Sequence, residues 1–226
     1  MQTSTEFNAV KVRSTVSRGG AVIVLTSTAL LIALALGLFF LPHLELWYAL
    51  LMLTAVMGIV IGWARLAEPV FFLQYDQEGV RYQHRHGSWL LPWSALLYSG
   101  VPNLNEQPMA YIGFRVMNYE PFLQTLPLRL AVRIMTEQRA LYLEAVRQAC
   151  VSGQCASELL NESADFRAGG AVYHGIKAAF GRRMQHLLQA TGYDLLIPVQ
   201  MSGEQAQQLC RHINQSRLQL IHNTVT

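Results

Sequence analysis

Two long runs of uncharged, apolar residues lie close together near the N-terminus and constrain the fold more than any other feature. The first run, residues 21–41, carries no charge, and Thr26, Ser27 and Thr28 are its polar members. A helix of this length is about 30 Å long, the thickness of a bilayer core. The second run, residues 46–63, is also uncharged and approaches the minimum length of a span. The two runs predict two transmembrane helices.

The residues around these runs predict a hairpin and its orientation. Residues 41–45 join the runs, and so short a link requires antiparallel neighbours. Trp47 and Trp63 place aromatic rings at both ends of the second span, as in the aromatic belts of membrane proteins. The link contains no lysine or arginine, whereas basic residues flank the two outer ends: Lys11, Arg13, Arg18 and Arg65. The positive-inside rule therefore places both termini in the cytoplasm. The alternative, a cleaved signal peptide followed by one anchor, requires a shorter first run.

Outside the hairpin the composition is that of an ordinary globular chain. Residues 1–20 are polar and rich in serine and threonine, so we expect them to be disordered and cytoplasmic. Residues 70–226 are expected to form one cytoplasmic α+β domain. The net charge of +3 is too small for a nucleic-acid footprint, and no nucleic-acid partner is expected. Three cysteines on a domain of this size do not form a secreted disulfide framework.

Short strands separated by turn residues follow the hairpin. The pattern predicts strands at residues 70–75, 80–84, 89–98 (broken at Pro92) and 109–117, with turns at 76–79 and 86–88. This stretch resembles the opening of bacterial PH-like (pleckstrin-homology-like) domains, through Glu78-Gly79, Gly87 and the segment Leu91-Pro92-Trp93-Ser94. The resemblance covers about residues 70–117 and implies an antiparallel β domain. With the hairpin and later segments, the chain also resembles uncharacterised bacterial inner-membrane proteins, which implies that location but no activity.

Residues 121–226 are predicted to be mainly helical, unlike a simple PH barrel, which continues with strands and ends on one helix. Helices are expected at 128–149, with a break near Thr136, at 171–190, and from Ser202 to about 220, with Gln205 completing a capping box. Gly192 is expected to end the second of these helices, and residues 195–199 to form a buried strand. Residues 151–163 are polar and predict a loop.

Basic and histidine residues are the candidates for an interaction surface. His84 and His86 share one face of a predicted strand, and Arg81 and Arg85 share the other. These side chains could bind phosphate or respond to pH, or simply be the polar face of a half-exposed strand. A second group lies on one helical stretch and could face anionic headgroups or form surface ion pairs with Glu137: Arg129, Arg133 and Arg139. Lys177, Arg182, Arg183 and His186 scatter around their helix.

No pattern in the sequence predicts a cofactor, a metal or an enzyme. Cys150, Cys155, Cys210 and His212 lack the spacing of a zinc site. Glu162, Asp165 and Asp194 have no partner visible in the sequence. We therefore expect a membrane protein of the α+β class, a hairpin with a PH-like domain and C-terminal helices, that binds protein or the membrane surface. An accessory subunit of a transport or envelope-biogenesis complex is the alternative, with Gly37, Ala33 and Ala35 packing against a neighbour.

Overall fold

The computed structural model describes residues 9–13, 19–37, 46–67, 71–104, 107–149 and 165–225. The chain has two compact units. One lies between Arg13 and Phe72, and the other combines the strand residues before Arg13 with the chain from Leu73 onward. The predicted link at 41–45 and the predicted loop at 151–163 lie outside the described residues.

The first unit is a pair of apolar helices, α1 (Gly20–Gly37) and α2 (Leu46–Leu66). Both are long and apolar enough to cross a membrane. Polar groups within them are satisfied locally, since the Thr26 hydroxyl donates to the Val22 carbonyl at 2.9 Å. The two predicted spans are thus present as helices, with α2 one turn longer than predicted because Arg65 and Leu66 continue it.

Small residues allow α1 and α2 to approach closely. The buried residues of α2 are Tyr48, Ala55 and Gly62, seven apart, which places them on one seam. A Cβ on Gly62 would lie 2.7 Å from the Val24 side chain. The seam therefore requires glycine, because a side chain at this position would push the two helices apart.

Gly37 belongs to this same seam. A Cβ on Gly37 would lie 2.7 Å from the hydroxyl of Tyr48, and that hydroxyl donates to the carbonyl of Leu34. Gly37 therefore packs within the hairpin, whereas Ala33 and Ala35 are exposed on α1.

The second unit contains a four-stranded sheet in the order β1-β2-β3-β4, in which β2 pairs with β3 and β3 with β4 in the antiparallel sense. Its strands are Val10–Arg13, Phe71–Tyr75, Gly79–His84 and Gly87–Pro92. The expectation that residues 1–20 are disordered is therefore wrong for β1. The backbone partners of β1 come from β2, some sixty residues later, and no local signal in a polar segment reveals them.

The turn between β2 and β3 follows from its residues. The Asp76 carboxylate accepts the backbone N–H groups of Glu78, at 2.9 Å, and Gly79, at 3.3 Å. A Cβ on Gly79 would lie 2.8 Å from the Cα of Pro92, so the close approach of β4 requires glycine here. The indole of Trp93, which is buried, donates to the Asp76 carbonyl at 2.7 Å and ties this turn to the end of β4.

A three-stranded antiparallel sheet has the order β11-β8-β5, with β5 at Leu96–Gly100, β8 at Tyr111–Val116 and β11 at Leu195–Pro198. The strand predicted at 89–98 is two strands, because a turn at 93–95 passes the chain from one sheet to the other. The ring of Tyr193 lies over the paired glycines Gly100 and Gly113. Two smaller hairpins also occur in the part of the chain that the structure describes: Asn103–Leu104 with Gln107–Pro108, and Phe166–Ala168 with Ala171–Tyr173, numbered β6, β7, β9 and β10.

Within the described residues, five helices accompany the sheets: α3 (Glu120–Thr125), α4 (Leu128–Glu137), α5 (Arg139–Ala149), α6 (Gly175–Thr191) and α7 (Gly203–Val225). The break between α4 and α5 falls at Gln138, two residues after the predicted site. Residues 171–173 are strand rather than helix, because Gly169, at φ 59°, turns the chain back into a hairpin. Gly192 ends α6 in the left-handed conformation, as predicted. The predicted capping box is confirmed by hydrogen bonds of 3.2 and 3.3 Å between Ser202 and Gln205.

Aromatic side chains form the centre of the core. The ring of Trp89 lies 6.2 Å from that of Phe114 in β8 and 5.5 Å from that of Phe122 in α3. Phe122 in turn lies 6.1 Å from Phe180 in α6. These edge-to-face and tilted contacts join both sheets to two helices around one hydrophobic centre.

Candidate functional site

The turn between β3 and β4 meets the exposed side of α4, and five of the residues singled out in the sequence lie there. The last residue of β3 and the turn together contribute three residues, and α4 contributes two, one helical turn apart. We call this surface the basic face: His84, Arg85, His86, Arg129 and Arg133. Its position follows from α4, whose apolar face is buried through Leu130, Ala131 and Ile134 and whose opposite face remains in solvent.

Glu137, at the C-terminal end of α4, joins the two parts of the basic face. Its carboxylate accepts a hydrogen bond from Arg133 Nε at 2.8 Å and lies 3.1 Å from His84 Nε2. Arg85 is 3.9 Å from the same carboxylate. One acid thus gathers side chains that are about fifty residues apart in sequence.

The histidines of the basic face contact each other and the neighbouring arginine. Their rings lie 5.3 Å apart, and Arg85 Nε donates to His86 Nε2 at 3.1 Å. The pKa of His86 is lowered by desolvation and then by the positive charges of Arg133 and Arg85. His86 is therefore mostly neutral at neutral pH, and an anion placed at this face would favour its protonated form.

Two aliphatic side chains stand beside the arginines on α4. Leu128 is 50% exposed and Val132 is 42% exposed. They are four residues apart and therefore lie on one stripe of the helix, next to Arg129 and Arg133. The exposed surface of α4 thus has one cationic stripe, with Arg129 and Arg133, beside one apolar stripe, with Leu128 and Val132.

Arg81 is not part of the basic face. Its guanidinium pairs with Glu78 at 3.2 Å, close to the β2–β3 turn. Side chains alternate between the two faces of a strand, so Arg81 lies on the face of the sheet opposite to the buried Val80 and Tyr82. His84 lies on the same face as Val80 and Tyr82.

Arg183 holds the end of α4 that carries Glu137. It is buried in α6, and its guanidinium donates to the carbonyls of Met135 and Gln138, both at 2.9 Å. Carbonyls at a helix C-terminus carry partial negative charge, so a buried cation is well placed there. The guanidinium also lies 4.8 Å from the ring centroid of Tyr142.

Asp194 was expected to be an isolated acid, and the structure corrects this. It is fully buried, and its carboxylate accepts the backbone N–H of Val116 at 2.7 Å and two contacts from Arg115 at 3.0 and 3.1 Å. The hydroxyl of Tyr119 donates to it as well. Burial, then the Asp194 carboxylate, raises the pKa of Tyr119. The fixed donors and the burial indicate a structural role that ties β11 to β8.

The same region contains a small cavity between α6, β11 and the four-stranded sheet. Tyr82, Trp89, Arg183 and Asp194 are among the residues that line it. Its volume is about 20 Å³, which is room for about one water molecule. A substrate or cofactor does not fit there.

Of the four candidate zinc ligands, the structure describes Cys210 and His212, and these two do not lie together. Cys210 is buried against β5, where its carbonyl accepts the Ser99 hydroxyl at 3.2 Å, and His212 is exposed. Burial raises the pKa of the Cys210 thiol to about 11, so it is not a ready thiolate ligand. Cys150 and Cys155 lie outside the described residues. Within the described ranges, no group of three potential metal ligands occurs.

Comparison with known proteins adds a family. No curated protein and no solved structure matches the chain. A family model described as "Protein of unknown function (DUF2982)" matches residues 73–219. The matched range contains α3 to α6, most of α7 and the strands of both sheets, but not β1. The match covers more than half of the chain, and the chain therefore belongs to the DUF2982 family.

Proposed function

We propose that this protein is a membrane-anchored interaction module that binds another protein or the membrane surface. Its helical hairpin spans the inner membrane of a bacterial cell, and both termini are cytoplasmic. The observation that carries the proposal is the basic face. Five cationic or titratable side chains and two exposed aliphatic ones share one surface of a domain whose chain also contains two bilayer-length apolar helices.

The architecture supports a PH-like domain. The antiparallel strands β2, β3 and β4 pass through one turn into a second antiparallel sheet, and the last helix packs on β5. The Asn214 amide accepts the Ser99 N–H at 2.7 Å and donates to the Ser99 carbonyl at 2.9 Å, so α7 satisfies backbone groups of the edge strand. In this proposal α3 to α6 are an insertion before the last strand of a PH-like barrel.

Chain connectivity supports a hairpin with both ends on one side. The chain leaves a sheet at β1, before α1, and enters the same sheet at β2, after α2. Because β1 and β2 belong to one sheet, the chain between them must cross the membrane an even number of times in this proposal. The basic residues outside the two apolar runs favour the cytoplasmic side for this sheet.

The alternative proposal, an accessory subunit of a transport or envelope-biogenesis complex, would use the helices as its interface. Since Gly37 packs against Tyr48 within the hairpin, the contact with a neighbour would fall to the exposed Ala33 and Ala35. Replacing both by leucine would then disrupt assembly and leave the soluble domain folded.

Two measurements on cell membranes test the leading proposal. The full chain is expected to stay in the pellet after alkaline extraction, as integral proteins do. Crosslinking in intact cells is expected to capture a partner or lipid through the domain, and charge reversal at Arg85, Arg129 and Arg133 is expected to abolish this capture. Extraction of the chain by alkali, or capture that the triple variant leaves unchanged, would refute the proposal.

A further inference from the structure

We infer that the basic face is a docking site for anionic phospholipid headgroups, and that Glu137 occupies the anion position until a lipid phosphate replaces it. The inference deepens the proposed function and rests on it for the membrane anchor. Glu137 is then an internal counter-ion that sets how strongly the basic face binds.

The geometry around Glu137 is that of a site for a single anionic group. Donors from two separate elements converge on its carboxylate: Arg133 at 2.8 Å, His84 at 3.1 Å and Arg85 at 3.9 Å. A phosphate offers more acceptor oxygens than a carboxylate to the same donors. These donors are 14% to 43% exposed and Glu137 is 39% exposed, so a ligand can reach them from solvent.

The charge balance leaves the basic face attractive to anions even with Glu137 in place. Its three arginines exceed the single carboxylate by two positive charges. Basic residues close to an anionic leaflet each gain about 1 kcal/mol. The attraction is therefore sufficient for weak docking.

The exposed aliphatic residues favour a lipid surface over a soluble phosphate. Leu128 and Val132 lie beside Arg129 and Arg133, so one helix stripe meets headgroups while the next meets the start of the acyl region. A soluble phosphate would leave both aliphatic side chains in water. The apolar hairpin in the same chain keeps the domain near a bilayer, and this raises the effective concentration of lipid for a weak site.

The test uses the full chain in nanodiscs of zwitterionic phosphatidylcholine, mixed with vesicles and separated by flotation. Vesicles that contain phosphatidylglycerol are expected to carry the protein with them, and pure phosphatidylcholine vesicles are not. The double variant R129Q/R133Q is expected to bind roughly 25-fold more weakly, about fivefold per arginine, which corresponds to 1 kcal/mol for each. E137Q is expected to bind about fivefold more tightly, because it removes one negative charge from the surface.

Matched variants on α5 control for net charge. R147Q removes one positive charge and E144Q removes one negative charge from an exposed pair outside the basic face, at 3.0 Å, and both are expected to leave binding unchanged. Ion pairs of this exposure contribute about 0–1 kcal/mol, so all of these variants are expected to fold. Circular dichroism checks that they do, and R129Q/R133Q tests the site even where E137Q does not fold.

Each contrary result has one meaning. Equal binding to both kinds of vesicle, or equal effects of R129Q/R133Q and R147Q, would overturn the docking site. Tighter binding of E144Q to the same degree as E137Q would overturn the role of Glu137. Binding of glycerol phosphate without binding of anionic vesicles would assign the site to a soluble phosphate. If vesicle binding fails while the chain resists alkaline extraction and still crosslinks to a protein, the proposed function stands and this inference falls.

Discussion

Replacing Asp194 by alanine is expected to be among the most destabilising single changes in the soluble domain. The carboxylate is fully buried and accepts hydrogen bonds from Arg115, the Val116 backbone and Tyr119. Removal leaves a backbone N–H and a hydroxyl without their acceptor, at about 1–3 kcal/mol each. Arg115 is 29% exposed and can recover part of its hydration. The expected loss is therefore about 3–5 kcal/mol, in line with breaking a buried ion pair.

Thermal unfolding of the full chain in detergent micelles measures this loss. Fluorescence reports on the domain because Trp89 and Trp93 are both buried in it. A loss of this size lowers the midpoint by roughly 6–20 °C. The matched control is Asp165→Ala, which removes an acid whose side chain is 58% exposed and which pairs with the exposed His174. That variant is expected to lose less than about 1 kcal/mol. A midpoint for Asp194→Ala as close to wild type as that of the control would refute the structural role of the carboxylate.

Three further results are expected. The unfolding midpoint should fall more steeply above pH 10 in the wild type than in Tyr119→Phe. Burial raises the pKa of Tyr119 above its usual value of 10.0, so the hydroxyl contributes stability that is fully present below pH 10 and is lost as the pH rises further. Parallel pH profiles of the two proteins would contradict this. Gly113→Ala should lose about 1–3 kcal/mol, because its Cβ would overlap the Tyr193 ring, whereas Gly203→Ala, with open space around it, should be neutral in the same melt. Cys210 should react with a maleimide at pH 8 only after denaturation, since burial raises the pKa of its thiol to about 11; rapid labelling of the native protein, read by peptide mass, would contradict this.

Several features of this protein follow from short stretches of sequence, because the forces that form them act within a few residues. The two uncharged runs form two helices. Each is apolar on every side, which is typical of a helix that is shielded from water all round. Gly192 and the pair Ser202 and Gln205 mark helix ends, because capping satisfies backbone groups one turn away. The turn at Asp76 and Gly79 was predictable for the same reason.

Other features depend on partners far away in the chain, and only the tertiary structure decides them. β1 forms a strand by hydrogen bonding to β2, which follows both apolar helices in the sequence. β11 pairs with β8 after about eighty intervening residues. Asp194 looked unpartnered because Arg115 and Tyr119 lie 79 and 75 residues earlier.

The basic face shows the same division. The sequence identified its side chains as two separate groups, one on a strand and one on a helix. Packing of α4 against the sheet, held at its C-terminal end by Arg183, brought both groups to Glu137. Residue type and spacing determined which side chains are exposed and charged, because alternation and helical periodicity are local. The distance between the two groups was set by the shape of the core beneath them, which is a property of the whole fold.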